Sequence, residues 1–392
     1  MRPGDFRICG WPKPRHRHWQ ATYCKPVCKP AKTKSEKGLT MTRHEMPAFD
    51  GHNDVLSRLH AMHPDDPAAA FIKGYDAAID LQKARSGGFA GGFFAIYVPP
   101  MEVDTEARHA AMEQSGYDLP LPPELDRGHA ESVTLEQAAI LKNLETADAL
   151  RICRSVGDIG SAIDDGIIAA IMHLEGAEAI DADLAMLDRL HDLGLRSIGP
   201  VWSRSTIFGH GVPFRYPSGP DIGSGLTEAG ERLVKRCNEL GILIDLSHMN
   251  EAGFRDVARL STAPLVATHS NAHAICPHAR NLTDEQLHMI ADSDGMVGLN
   301  FATAFLRPDG RMIPDVAFAT MLRHLDHLIG ILGETRVGLG SDYDGAVMPE
   351  ALATAAGLPA LQDAMRQHGY DDALQRRLMC DNWLSALGRI WR

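Results

Sequence analysis

Eight short apolar runs, each separated from the next by a longer and partly amphipathic stretch, constrain this chain more than any other feature. They fall at Phe49–Asp54, Gly92–Val98, Ile167–Glu175, Arg196–Val201, Ile242–His248, Leu265–His269, Met296–Phe301 and Val337–Asp342. Between most of them the spacing is helical. Leu184, Leu187 and Leu190 mark one face of Asp181–Leu193, and Leu233, Val234 and Leu240 one face of Thr227–Leu240; Glu251–Leu260, Thr283–Asp292 and Val316–Leu332 read the same way. Thr283 with Gln286 three residues on forms a capping box, and Thr227 leads into Glu228. Strands that alternate with helices must pair in parallel, and eight such units close into a (β/α)8 (TIM) barrel. That architecture typically takes ~250 residues and tolerates insertions to over ~400. Residues 44–392 are therefore predicted to form one α/β barrel domain.

Two insertions interrupt the alternation. Pro99–Thr134 carries Pro99, Pro100, Pro120, Pro122 and Pro123, and Ser203–Leu226 is rich in Gly and Pro. Both follow the C-terminal ends of predicted strands, the face on which barrel enzymes build their sites, so both are expected to wall a substrate cavity.

Residues 1–43 are different in kind. They hold eleven Lys and Arg against Asp5 and Glu36, a net charge of +9 in a chain whose total is −12, which leaves −21 for the remainder. Rich in Pro, Lys and His and without periodicity, this head cannot bury enough surface to fold alone. It is expected to be a disordered basic extension ahead of a natural start at Met41 or Met46. A nucleic-acid-binding arm or a targeting peptide is the other reading, and Cys24 and Cys28 with His16 and His18 form only a loose zinc pattern. The acidic remainder argues against a nucleic-acid partner. No apolar run approaches the roughly 20 residues that span a bilayer. The seven cysteines are odd in number and scattered, which points to reduced thiols and a cytoplasmic location rather than a disulfide framework.

The predicted strands end in ionisable groups. His52 and Asp54 close the first, His173 and Glu175 the third, Asp245 and His248 the fifth, His269 the sixth, and Asp342 and Asp344 the eighth. Apolar strands that each terminate in such a group at one face are hard to explain by core packing, because buried ionisable groups are costly unless paired or bound to metal. The number of donors suggests two ions, His52 and Asp54 on one and His248 and His269 on the other. Two dications ~3.5–4 Å apart need an anionic bridge. No lysine lies between Lys142 and Lys235, so strands three and four cannot supply a carboxylated lysine, and Glu175 is the available bridge, with Gly176 beside it leaving room for close approach. The residual positive charge of such a centre suits an anionic substrate.

In order along the chain, Asp50-Gly51-His52-Asn53-Asp54, Leu174-Glu175-Gly176, Leu243 to His248, His269-Ser270 with Arg280-Asn281 downstream, and Gly340 to Gly345 resemble the membrane (renal) dipeptidase family of zinc peptidases, within the amidohydrolase barrel superfamily. The resemblance implies two Zn2+ per chain bridged by Glu175, with His52, Asp54, His248 and His269 as the other ligands. It implies that Asp342 manages protons and that Arg280 binds the terminal carboxylate of a dipeptide, for which its planar fork is suited. Members of the family often carry an oxyanion-steadying histidine after strand four; here that register holds Trp202, a candidate substrate contact. His210, in the same loop, is the candidate to swing into the vacated role, and Arg204 is another. His173 is expected behind the ligands, His324 and His327 in structural positions, and His273 and His278 in a loop. The expected activity is zinc-dependent dipeptide hydrolysis, with a dipeptide as the small-molecule partner and a homodimer compatible with the sequence. The alternatives are a related binuclear amidohydrolase acting on a cyclic amide, lactone or N-acyl amino acid, or a catalytically silent metal-binding scaffold.

Overall fold

The computed structural model describes residues 46–101 and 104–391. The predicted extension at 1–43, with its cysteines and histidines, lies outside them. Eight strands form the central sheet: β1 Ala48–Asn53, β2 Phe89–Tyr97, β3 Ile168–Glu175, β4 Leu195–Gly199, β5 Leu243–Ile244, β6 Val266–Ala267, β7 Met296–Leu299 and β8 Val337–Leu339. Every pairing is parallel, in the order β5-β4-β3-β2-β1-β8-β7-β6. A parallel bridge between Asp245 and Val266 joins the two ends, with the Leu246 amide donating to Val266 O at 2.8 Å, so the sheet closes as the (β/α)8 barrel expected from the alternation.

Side chains fill the interior as the fold requires. Phe49, Phe93, Ile171, Leu243, Val266 and Met296 are all buried there, and Trp383 of the C-terminal helix Asn382–Ile390 plugs the N-terminal end, its indole N–H donating to Leu339 O at 2.8 Å. Burying a large apolar side chain of this kind is worth about 1.5–3 kcal/mol. The other apolar layer lies between the strands and the surrounding helices, on the faces that the helical spacing marked: Leu187 and Leu190 of Ala185–Leu193, Leu233 and Val234 of Glu228–Leu240, and Leu325 and Leu328 of Phe318–Leu332 are buried. The Thr283 capping box is present, the hydroxyl accepting from the Gln286 amide while the Gln286 side chain accepts from the Thr283 amide.

Most strand ends differ from expectation by one to three residues, and three larger departures have identifiable causes. The helix expected from Asp181 begins at Ala185, because the Asp181 carboxylate accepts from the Ala185 and Met186 amides and holds the preceding residues as a turn. Strand five is two residues long rather than seven, since the Asp245 carboxylate takes the Ser247 and Thr268 amides that a longer ladder would have used. A short strand, Leu150–Ile152, adds to the outer edge of β3 below the point where β4 begins, so one edge of β3 serves two partners in succession.

The two insertions meet above the C-terminal end of the barrel. Tyr117–Asp118 from the first pairs antiparallel with Arg215–Tyr216 from the second, and the first also carries the helix Thr105–Met112. Tied in this way, they stand as walls on the face where the strands present their polar ends.

Candidate metal centre

The polar strand ends converge on one point. His52 comes from β1, and Asp54 follows the strand as the first residue before the helix Val55–Met62, leaving its Oδ2 3.5 Å from His52 Nε2. Glu175 ends β3, and its Oε1 lies 3.6 Å from His52 Nε2, 3.0 Å from His248 Nε2 and 3.4 Å from His269 Nε2. The two latter imidazoles approach each other to 3.1 Å between Nε2 atoms. All five side chains are buried. Glu175 belongs to two donor triads at once, one with His52 and Asp54 and one with His248 and His269.

This donor set fits bound metal. Donors bound tetrahedrally at ~2.1 Å from one ion stand ~3.4 Å apart, the separation that recurs around Glu175 Oε1. Both ring nitrogens of His52 and Oδ1 of Asp54 are buried without a hydrogen-bond partner, an expensive arrangement that coordination would relieve. The electrostatics agree. Burial works against charge on His52, yet the carboxylates of Glu175, Asp54 and Asp342 outweigh it and push its imidazole up to about 10, so the surroundings favour a cation here. Burial holds His248 and His269 well below the ordinary imidazole range, helped by the nearby charges of Arg280 and His52, which keeps their lone pairs available. Burial pushes Glu175 well above the carboxylate range, with His52 opposing and the neighbouring Asp54 and Asp342 charges adding to it.

Local structure aims these groups. Ser203 Oγ sits 2.8 Å from His248 Nδ1, and Thr268 Oγ1 sits 2.8 Å from His269 Nδ1 while donating to Asp245 Oδ2 at 2.5 Å. Fixing the far nitrogen in this way orients the near one. Six described non-glycine residues have positive φ, and three of them, His248 (68°), Asp342 (64°) and Asp344 (69°), line the cavity above the cluster, strained strand-end positions of the kind that functional sites hold. Gly176 has φ +85, and a Cβ there would meet the Glu178 carboxylate at 2.4 Å; the glycine serves this turn, not an approach to Glu175 as expected.

A cavity of about 440 Å³ opens over the cluster. Asp54, Glu175, His248 and Asp342 reach it from the barrel, and Arg108 and Phe214 from the two insertions. Asp342 accepts from Asn300 Nδ2 at 3.0 Å, and burial raises its carboxyl above the usual range, with His52 opposing. Trp202 lines the cavity, its ring 5.8 Å from that of His248. Arg280 is not itself among the cavity residues; it is buried against His269, donating to the His269 carbonyl at 3.1 Å and to Ser270 Oγ at 3.4 Å, its Nε has no hydrogen-bond partner, and its guanidinium lies 5.4 Å over the ring of Phe305, a cavity residue. Burial pushes this guanidinium down to about 10 against the pull of Asp342 and Glu175.

Residues 39–392 match the profile of the membrane dipeptidase family, Peptidase family M19. The chain belongs to that family. A metallo peptidase from Rhodobacter sphaeroides, solved with a phosphinate mimic of the dipeptide L-Ala-D-Ala, is 55% identical, with a TM-score of 0.87 over 88% of this chain and 99% of its own. The dipeptidase AC, another metallo peptidase of the family, is also 55% identical, with a TM-score of 0.86 over 89% of this chain and 99% of its own. An uncharacterized protein in the pqqA 5′ region of Klebsiella pneumoniae is 47% identical over 267 residues, 68% of this chain and 98% of that protein. As a family member the protein is a metallo-dipeptidase, a hydrolase acting on peptide bonds. No helix among the described residues is long and apolar enough to cross a membrane.

His210 and Arg204 are not among the cavity residues, and the other histidines have partners away from the cluster. The Nδ1 of His210 lies 3.1 Å from Ser205 Oγ, within its own loop. Arg204 is buried in an ion pair with Glu178 and donates to Val98 O, so it is committed elsewhere. His173 sits behind the donor cluster, 2.9 Å from Ser197 Oγ and 3.6 Å from Asp245 Oδ2. His324 is buried between the Ala272 amide and Leu306 O, and His327 pairs with Asp284 at the surface. His273 contacts Ser218 O in its loop, while His278 is buried and accepts from the Arg280 amide, steadying the segment that presents the guanidinium. Asp344 accepts from the amides of Ala78 and Ile79. Asp245 is a strand-end carboxylate whose role the sequence alone does not define. It stands in a third donor triad with His52 and His269, and its three hydrogen bonds make it the anchor beneath His269.

Proposed function

We propose that the protein hydrolyses dipeptides at a binuclear zinc centre in which Glu175 is the shared ligand, His52 and Asp54 complete one site, and His248 and His269 the other. The observation that carries this reading is the double membership of Glu175 in two buried donor triads. When bound, such a pair supplies acidification of water to hydroxide near neutral pH and polarisation of the scissile carbonyl, with imidazole and carboxylate donors of the type zinc favours.

The chain's own residues do the rest. Asp342, facing the cavity beside Asp54, takes the proton from the attacking water and delivers it to the leaving amine, a transfer worth ~10²–10⁴-fold. Its raised carboxyl helps it to hold that proton in passage. Arg280 receives the terminal carboxylate through a planar fork, which sets the cut one residue from a free C-terminus. Trp202 forms part of the wall over His248, where the substrate backbone lies. His210 has no part in this reading. Pro99, Pro100, Arg108, Met112 and Phe214 of the insertions bound the cavity, so longer peptides meet these side chains.

Purified protein is expected to contain close to two zinc per chain and to hydrolyse dipeptides, with an L or a D residue at the C-terminal position, while leaving tripeptides and N-acyl amino acids largely intact. Metal-free protein from a zinc-replete preparation, or a preference for N-acyl amino acids, lactones or cyclic amides over every dipeptide, would sink the idea.

A further inference from the structure

Two arginines line the cavity, and they are placed differently. Arg58 donates to Asp76 O at 2.9 and 3.1 Å and pairs with the Asp76 carboxylate. The guanidinium of Arg108, on the insertion helix Thr105–Met112, has no carboxylate or carbonyl partner among the described residues. It instead lies 5.2 Å from the ring centre of Phe214 and 5.9 Å from that of Trp202, half-buried between them. Stacking on aromatic faces occupies the π surface of a guanidinium and leaves its N–H edge free to meet a carboxylate bidentately. The carboxylates that share the cavity are engaged: Asp54 and Glu175 in the donor cluster, Asp342 with Asn300, and Asp344 with two backbone amides.

The rings place this cation relative to the substrate. Phe214 lies 5.9 Å from Phe305, the ring under Arg280, so the two guanidiniums stand over neighbouring rings of one aromatic wall. Trp202 and Phe214 both contact the His248 imidazole. A residue whose terminal carboxylate sits on Arg280 and whose amide bond sits over the donor cluster presents its side chain along that wall. We propose that Arg108 selects an acidic side chain, Asp or Glu, on the C-terminal residue of the dipeptide. The inference rests on the dipeptidase reading of the centre and on Arg280 as the clamp for the terminal carboxylate.

The test uses the full-length, zinc-loaded enzyme and near-isosteric pairs, Ala-Glu against Ala-Gln and Glu-Ala against Gln-Ala, with Ala-Ala as reference and both hands at the C-terminal residue. A charge-assisted, partly desolvated pair gives about 10–100-fold. The kcat/KM ratio of Ala-Glu to Ala-Gln is expected in that range, and the ratio of Glu-Ala to Gln-Ala near one. In Arg108→Ala the first ratio should fall to near one, and in Arg108→Lys it should be partly kept, since the charge remains and the fork is lost. A ratio within one preparation is independent of how much of a variant folds. Hydrolysis of Ala-Ala with no preference for Ala-Glu over Ala-Gln, a preference that follows the N-terminal residue, or a ratio that survives Arg108→Ala overturns this inference alone. Failure to hydrolyse any dipeptide overturns it together with the reading of the centre.

Discussion

Gly345 offers a way to disturb the centre without disturbing the fold. It lies exposed on the lip of the cavity, just after Asp342 and Asp344, and a Cβ there would stand 2.1 Å from Asp54 Oδ2 and 2.8 Å from Asp342 Oδ1. Ordinary contact needs ~3.5 Å, so in Gly345→Ala the Asp54 carboxylate must retreat by roughly 1–1.5 Å. Its side chain can swing, which makes the change cheap for stability. It is costly for chemistry, because the same oxygen lies 3.5 Å from His52 Nε2 in the donor triad with Glu175. A misplacement of ~1 Å can cost ~10²-fold in rate, or about 2.7 kcal/mol of barrier. Alanine at an exposed site that does not require positive φ also restricts the unfolded chain, a gain of about 0.4–1 kcal/mol. Gly345→Ala is therefore expected to keep its Tm within a few degrees while kcat/KM for Ala-Ala drops by about 10²-fold and zinc content falls below that of the parent. Calorimetry, metal analysis and steady-state kinetics on one preparation read all three. A variant that holds its full metal complement and hydrolyses Ala-Ala within threefold of the parent would refute the placement of Asp54 in the centre.

Glu175→Gln keeps the shape of the bridge and removes its charge; metal content by mass spectrometry is expected to fall from two toward one or none, and retention of both ions at unchanged affinity would exclude Glu175 as the shared ligand. Arg280→Lys keeps the cation but loses the fork, and is expected to raise KM for dipeptides about 10-fold, with Arg280→Ala raising it about 100-fold; an unchanged kcat/KM in Arg280→Ala would remove it from substrate binding. Asp50 is buried below the centre, accepting from the Ser341 amide at 2.6 Å and the Ser341 hydroxyl at 2.8 Å, and burial pushes its carboxyl up from 3.8 to about 6 despite these bonds. A raised carboxyl favours the protonated fold, so its stabilisation is complete below pH ~4 and is lost as pH rises through ~6. In urea unfolding of the metal-free protein, Asp50→Asn should gain on the parent by up to roughly 3 kcal/mol between pH 4 and pH 7; parallel pH profiles would mean that Asp50 does not titrate in this window.

What the sequence disclosed and what it withheld divide along a physical line. The barrel was legible because alternation of apolar runs with helical faces is a local pattern, and the five donor residues were legible because residue type and strand-end position are both written in the chain. The extent of β5 was not, since it ends where the Asp245 carboxylate captures amides from Ser247 and from Thr268 on another strand. Leu150–Ile152 escaped because a three-residue strand with Arg151 at its centre shows no apolar run; only the free edge of β3 makes it a strand. The groups that orient the cluster imidazoles share this property. Ser203 and Thr268 are ordinary hydroxyls in sequence, and each becomes significant only by standing 2.8 Å from the far nitrogen of His248 or His269. Arg108 is the extreme case. Its meaning comes from Trp202 just after β4 and Phe214 in the other insertion, and from the lack of any carboxylate beside it among the described residues, conditions that no spacing within its own helix could express. Type and periodicity thus pointed to the side chains that meet in the buried donor cluster, whereas the contacts around the cavity arise from the meeting of the two loops above the barrel. Substrate preference in a chain like this should therefore change by substitution in 99–134 and 203–226 while the donor cluster stays as it is.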